Sequence, residues 1–408
     1  MIVALLGIVV SFFAYLIAFP NPGQRRFDIY LALFALHIVM AVAYWLYHFE
    51  AAMDAFTYYR DPYNYYQKNP LADGTYFVVF VVQTIKRTLG GSFLDHFLFF
   101  QCFGMIAFAL MIRSFTEIAD SLSMRVPLLL YAILFVPGLH FWSVAIGKDG
   151  PIFMAVALAC WASIRLQKRY VWLGVAMLIM AVIRPHVAAI TMLASMVGFV
   201  MANDVPRIVR VMMIPMAGVG LIVTLVVSGS QLGLDFSSAG SVSEFIEYQQ
   251  GMAEELGSGR DITSLPFPLK VATLLFRPLF FDASGMMGLV ASAENVVFLF
   301  IFGSLAYYWR TLLLLVRRVY YIIFCVVFSS TLIVGLSLIN YNLGLGQRQK
   351  MMVMPAVLMM YASVYLYRRY LTAVPAAQRQ ADAQAQLEGQ AALDRAPAGA
   401  AYGQPSQA

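Results

Sequence analysis

The stretch FWSVAIGKDGPIF, residues 141 to 153, sets Lys148 and Asp149 side by side at the mouth of an apolar run. VIRPH adds Arg184 and His186, LLFRPLFFD adds Arg277, and NLGLGQRQK adds Arg348 and Lys350. A guanidinium fork pairs bidentately with phosphate oxygens, and an ammonium complements it as a point charge. Arg184, Arg348, Lys148, Lys350 and Arg277 therefore form a set suited to a diphosphate. Proton transfer needs a carboxylate or an imidazole within reach of a hydroxyl, and Asp149, His186, Asp61 and Asp54 are the candidates. FTYYRDPYNYYQ, residues 56 to 67, is the densest aromatic cluster, and Tyr58, Tyr59 and Tyr63 offer faces on which sugar rings can stack. Each residue also has a structural reading. Asp149 ahead of Pro151 is a helix-start signature. Arg184 can snorkel to headgroups, Arg348 and Lys350 can anchor in lipid, and the tyrosines fit an interfacial aromatic belt. A lone His186 is more often a satisfied polar residue than a base.

Composition decides what holds these residues. Of 408 residues, 61% are hydrophobic and 12% charged, with a mean hydropathy of +0.76. That is more apolar surface than a soluble domain can bury, and it points to an integral membrane protein. Apolar runs of the length that crosses a bilayer core recur along the chain, without the strand-like alternation of a membrane barrel. The expected fold is all-α, a polytopic bundle. Its spans fall at 2–19, 28–47, 94–112, 126–143, 151–165, 170–184, 187–203, 210–228, 287–308, 319–338 and 351–367, about eleven in all.

Basic clusters at Arg25 and Arg26, Arg113 and Arg125, Arg165 to Arg169, Arg207 and Arg210, Arg317 and Arg318, and Arg368 and Arg369 share one face if the N-terminus is outside and the C-terminus cytoplasmic. The candidate site residues then lie on the outer face, where short loops ordinarily disfavour cations. The net charge of +6 is spread over these loop clusters, which argues against nucleic acid as a partner. The first run lacks a basic n-region and a cleavage site and reads as a retained helix.

The bundle is expected to occupy 1–367, with long outer loops at 48–93 and 229–286, and an Ala/Gln-rich disordered cytoplasmic tail at 368–408. TYFVVFVVQTIKRTLGG, beginning at Thr75, is too short to span and is expected to lie in the interface or dip in and return. Cys102, Cys160 and Cys325 sit inside apolar runs without ligand spacing, so neither a metal site nor a disulfide framework is expected. Motifs for phosphate loops, zinc proteases and serine hydrolases are absent from the sequence, and no cofactor is implied.

LHFWSVAIGKDGPIF after Pro137 and Gly138, LIMAVIRPHVAAI and NLGLGQRQKMMVMPAVLM together resemble the bacterial O-antigen and exopolysaccharide repeat-unit polymerases, the Wzy-like family, and more distantly the GT-C membrane glycosyltransferases. The resemblance implies an enzyme of the bacterial inner membrane that moves a glycan from an undecaprenyl-diphosphate carrier to a lipid-linked acceptor at the periplasmic face. It implies that Arg184 and Arg348, with Lys148 assisting, hold the diphosphate, and that Asp54 or Asp61 is the acidic residue of the first outer loop. The acidic pair spaced by one residue that is usual in GT-C enzymes is missing, which favours metal-free chemistry. Partners would be the lipid-linked oligosaccharide, membrane lipids, and other polysaccharide export or chain-length proteins. Two competing readings are a flippase for the same lipid-linked glycan, which needs a cationic cavity reaching mid-membrane, and a non-catalytic subunit of an assembly complex.

Overall fold

A computed structural model describes residues 1–49, 54–201, 265–339 and 343–373, with Ile262 and scattered positions in 207–222 and 378–388. Among the described residues the protein is helical and contains no strand. In chain order the α-helices are α1 Ile2–Ala18, α2 Phe27–Tyr47, α3 Asp54–Arg60, α4 Gly74–Leu89, α5 Phe93–Ser121, α6 Leu128–Ala132, α7 Pro137–Ser143, α8 Asp149–Ile164, α9 Leu166–Ile183, α10 Pro185–Met201, α11 Phe267–Phe276, α12 Gly285–Tyr307, α13 Trp309–Val316, α14 Tyr320–Ile339, α15 Leu343–Lys350 and α16 Met354–Ala373.

Five of these, α2, α5, α9, α12 and α14, are long and apolar enough to cross a membrane, and the bent pair of α15 and α16 makes up to six. Helices α1, α8 and α10 are apolar but shorter. By length and composition this is a multi-pass helical protein with five or six candidate spans among the described residues; the count of eleven is not established by them. One expected span, 126–143, is broken into α6, a 3-10 turn at Ile133–Phe135, and α7. Pro137 causes the break: it has no amide hydrogen, and it forces Val136 out of the helical region, to φ −59° and ψ 118°. The Glu294 carboxylate on α12 accepts from the freed Gly138 amide at the start of α7. Most of the expected span 210–228, most of the loop 229–286 and most of the tail beyond Ala373 lie outside the described residues.

Helix α5 is the axis of the bundle. A capping box starts it, with the Ser92 hydroxyl accepting from the Asp95 amide at 3.2 Å and Asp95 accepting from the Ser92 amide at 2.8 Å. Its 29 residues are packed on most sides by α1, α2, α8 and α16, so Phe100, Met105, Phe108, Ile112 and Phe115 are buried. Helix α8 lies against α5 and is flanked by α9, α14 and α16. Fully burying such a side chain stabilises a soluble fold by about 1.5–3 kcal/mol. Between helices in lipid that gain is mostly lost, and close packing and buried polar contacts fix the arrangement instead.

The described part of the first long loop, from residue 54 on, carries α3 and α4. Helix α4 has one buried apolar face, formed by Val78, Val79 and Val82. From that face the buried Gln83 donates to the carbonyl oxygens of Tyr58 and Tyr59, at 3.1 and 2.9 Å, and holds α3 in place.

Candidate anion-binding cleft

Helix ends converge near the start of α8. Asp149 is its first residue, and Lys148 just precedes it. A carboxylate there faces the positive end of the helix dipole, and Pro151 costs no hydrogen bond in a first turn. Arg184 sits at the joint of α9 and α10, where Pro185 drives it to φ −143° and ψ 81° and so ends one helix and begins the next. Arg348 comes from α15, which meets α16 at a 57° bend. Asp54 opens α3, and Asp73 caps α4 by accepting from the Thr75 amide.

Two glycines allow the elements to approach this closely. A Cβ on Gly74 would stand 2.1 Å from the carbonyl oxygen of Ile183, immediately before Arg184. A Cβ on Gly150 would stand 2.6 Å from the carbonyl oxygen of Ser143. Backbone cannot yield to such contacts, so any larger residue at either position would push Asp73 or Asp149 off the site.

The Asp149 side chain is 1% exposed and both of its oxygens are engaged. Arg184 donates to Oδ1 at 2.6 Å through a terminal nitrogen, and Arg348 donates to Oδ2 through Nε. Arg348 also reaches Asp54 Oδ2 at 3.0 Å, and Lys148 Nζ lies 3.6 Å from Asp73 Oδ1. The buried Arg184 Nε finds no acceptor among the described residues. Lys148, Arg184 and Arg348 thus border one cleft of about 300 Å³, together with Asp54, Tyr58, Asp73 and His186.

Electrostatics follow from this crowding. Burial pushes the Lys148 ammonium below its ordinary value, against the pull of Asp73 and with the help of Arg184. Burial alone would raise the Asp73 carboxyl, but Lys148 and the Thr75 amide outweigh it and hold the group below the usual range. Burial, and next the charge of Asp54, raise the Tyr58 phenol, which stays protonated as a neutral donor on the wall.

The other expected site residues lie elsewhere. Lys350 is buried facing α12, where its ammonium donates to Asn295 Oδ1 and to the Leu275 carbonyl at 3.4 Å. It anchors α15 and does not line the cleft. Arg277 is paired with Asp282 at 2.6 Å, and its carbonyl accepts from Gln347 at 2.6 Å. Asp61, at φ 51°, accepts from the amides of Tyr65 and Tyr66 at 2.7 and 3.1 Å, so its carboxylate closes a turn. The Tyr59 hydroxyl donates to the Gly91 carbonyl at 2.9 Å, and Tyr63 packs on Tyr65 with its side chain largely exposed. Asp73 is the cleft residue that sequence reasoning missed; the signal was the Asp-Gly-Thr that begins the amphipathic run. No group of side chains among the described residues is arranged to hold a metal ion.

Fold and cleft together define a multi-pass helical membrane protein with a pocket built at helix termini, where three cations and three carboxylates meet and one arginine nitrogen is left without an acceptor among the described residues. Comparison with protein-family models, with curated proteins and with solved structures finds no match to this chain.

Proposed function

We propose that this protein is a membrane glycosyltransferase of the repeat-unit polymerase type, whose donor is a glycan on a polyprenyl diphosphate and whose cleft faces the extracytoplasmic side of a bacterial inner membrane. The observation that carries this reading is the gathering of Lys148, Arg184 and Arg348 around one cleft, with a buried Asp149 beneath them. Asp149 holds each guanidinium group through one nitrogen, and both arginines border the pocket. The carboxylates on the open side are weak competitors: Asp54 and Asp73 are 57% and 40% exposed, and ion pairs that wet contribute only about 0–1 kcal/mol. A diphosphate replaces them by offering more acceptor oxygens in a bidentate geometry.

In this mechanism the acceptor hydroxyl oxygen attacks the anomeric carbon, the bond from that carbon to the diphosphate oxygen breaks, and the electron pair leaves with the diphosphate. Arg184, Arg348 and Lys148 stabilise the charge that develops there. The hydroxyl proton passes to Asp54, which the incoming diphosphate has released from Arg348, or to His186 across the cleft. Asp149 does not serve as the base, because both of its oxygens are occupied by arginine. A cleft gathered at helix ends favours this reading over a flippase, whose cationic path must continue to mid-membrane.

Reconstitution with a lipid-linked repeat unit tests the proposal. Arg184→Ala and Arg348→Ala should each lower polymer formation by about 10²-fold or more, the scale of losing one charge-stabilising donor. Polymer made at the wild-type rate by both variants, or none made by the wild type from any lipid-linked glycan, would remove the assignment.

A further inference from the structure

We infer a second lipid site, for an anionic phospholipid of the bilayer, in a groove between α12 and α16. The groove has a volume of about 590 Å³ and is lined by Phe300, Gly303, Tyr361 and Val364 below Arg368 and Arg369, a size in the range of small-ligand sites. It is distinct from the cleft, because Arg368 lies fourteen residues into α16, roughly 21 Å along the helix from its start beside α15.

Three observations point to the occupant. Helices α12 and α15–α16 are candidate membrane spans, so bilayer lipid is what the groove faces. Arg368 and Arg369 are exposed and have no carboxylate partner among the described residues; they rest on rings instead, 4.9 Å from the Tyr308 centroid and 6.0 Å from that of Tyr365. Ring contacts leave guanidinium hydrogens free for a phosphate, and the two side chains stand at one mouth of an otherwise aromatic and aliphatic channel. The third observation is Gly303, in the middle of a 23-residue helix, whose missing Cβ would meet nothing within 4 Å. Glycine there costs helix stability and serves no contact within the protein. The open space above it fits one acyl chain running down the groove while the phosphate sits between Arg368 and Arg369.

The test uses the full chain in mild detergent, with bound lipid read by native mass spectrometry during titration with phosphatidylglycerol, phosphatidylcholine of the same chains, or a polyprenyl phosphate. Wild type should retain phosphatidylglycerol preferentially. The double variant R368Q/R369Q should lose that preference by roughly thirty-fold, the change that about 1 kcal/mol per interfacial cation implies. G303L, which fills the groove and keeps the arginines, should weaken both phospholipids alike and preserve the ratio between them. Equal retention of the two phospholipids by wild type, an unchanged preference in R368Q/R369Q, or unaltered binding in G303L would each overturn the site. Displacement of phosphatidylglycerol by equimolar polyprenyl phosphate would overturn the choice of occupant. None of these readouts depends on glycosyl transfer, so they stand or fall apart from the cleft.

Discussion

Two buried carboxylates, one near each end of α8, are met by arginines in opposite ways. Asp149 opens the helix, and Glu117 on α5 is tied to Arg165, the residue that follows its last turn. Sixteen residues of α8 separate the two clusters by roughly 24 Å. Glu117 accepts from Arg113 at 2.6 Å and from Arg169 at 2.7 and 2.9 Å, with Arg165 at 3.4 Å. The arginines around it are themselves well supplied. Arg113 also donates to Gln24 at 3.0 Å, and Arg169 donates to the Trp161 carbonyl at 3.1 Å while lying 3.8 Å from the Trp161 ring centroid. The hollow beside this cluster is lined by Arg165 but not by Glu117, Arg113 or Arg169. At Asp149 the carboxylate is equally buried, yet Arg184 keeps an unpartnered Nε and the guanidiniums border a cleft. A carboxylate held by arginines is therefore not by itself a sign of function. What sets the Asp149 cluster apart is a donor left over after the carboxylate is satisfied, and a cleft beside it.

The largest expected effect separates the clusters by stability. Glu117→Ala leaves three arginines facing one another with no counter-charge, two of them mostly buried, and breaking such a network costs about 3–5 kcal/mol. Unfolding in detergent should show a loss of that size or failure to accumulate. Asp149→Asn keeps one acceptor oxygen for one arginine and turns an NH2 donor against the other. Both arginines border the cleft and reach water there, so it should cost less, about 1–3 kcal/mol, while abolishing activity because the guanidiniums lose their anchor. A Glu117 variant as stable as wild type, or an Asp149 variant that unfolds first, would reverse the structural-versus-functional contrast.

A middle-sized effect concerns the open side of the cleft. Asp54→Asn removes an exposed partner of Arg348, so stability should move by no more than about 1 kcal/mol. Transfer activity should nevertheless fall by about 10²–10⁴, the contribution of a positioned base. A combined Asp54→Asn and His186→Gln variant that falls no further than Asp54→Asn alone assigns the proton to Asp54. If Asp54→Asn works at the wild-type rate and His186→Gln does not, the base is His186 and the Asp54 contact is only a surface ion pair.

How far the sequence anticipates this contrast depends on what kind of signal each residue leaves. Lys148, Arg184 and Arg348 stand out because each is a cation beside Gly or Pro punctuation at the edge of an apolar run, where helices end and side chains can meet. Lys350 carries the same signal yet points away. Residues two apart on a helix are about 200° apart around it, so Arg348 and Lys350 cannot both face one cleft. That distinction needed a helix at Leu343–Lys350, where the apolar pattern begins only afterwards. Asp73 escapes because its partner is remote in sequence, Lys148 ahead of α8, and Glu117 escapes because, beside its neighbour Arg113 one turn away, the partner that makes the cluster is Arg169 on α9. The expected span ending at 112 also stopped α5 short of Glu117. The break at Pro137 was visible as Pro-Gly, but hydropathy alone carries a span through it, and what compensates the break is a carboxylate far along the chain on α12.

The smallest effect is one of pH and tests whether the cleft's open side behaves as wet ion pairs do. Burial tends to raise the Asp73 carboxyl, but Lys148 and the Thr75 amide hold it below the ordinary 3.8. A carboxyl depressed in the folded state contributes stability that is fully present above its unfolded value and is lost as pH falls through the folded value. Lys148 has the opposite history: burial lowers its ammonium from 10.5, so keeping it protonated opposes folding, and that opposition fades as pH rises toward the unfolded value. Melting temperature followed from pH 5 down to pH 3 should fall slightly more steeply in wild type than in Asp73→Asn, whose remaining amide cannot titrate. Between pH 8 and pH 10 the Lys148→Met variant should lose the slight upward slope of the wild type. Equal slopes in all three proteins would mean that the pair is too well hydrated to be felt. The competition that Asp73 offers to the proposed diphosphate would then be weaker still, leaving Asp149 as the carboxylate that shapes the cleft.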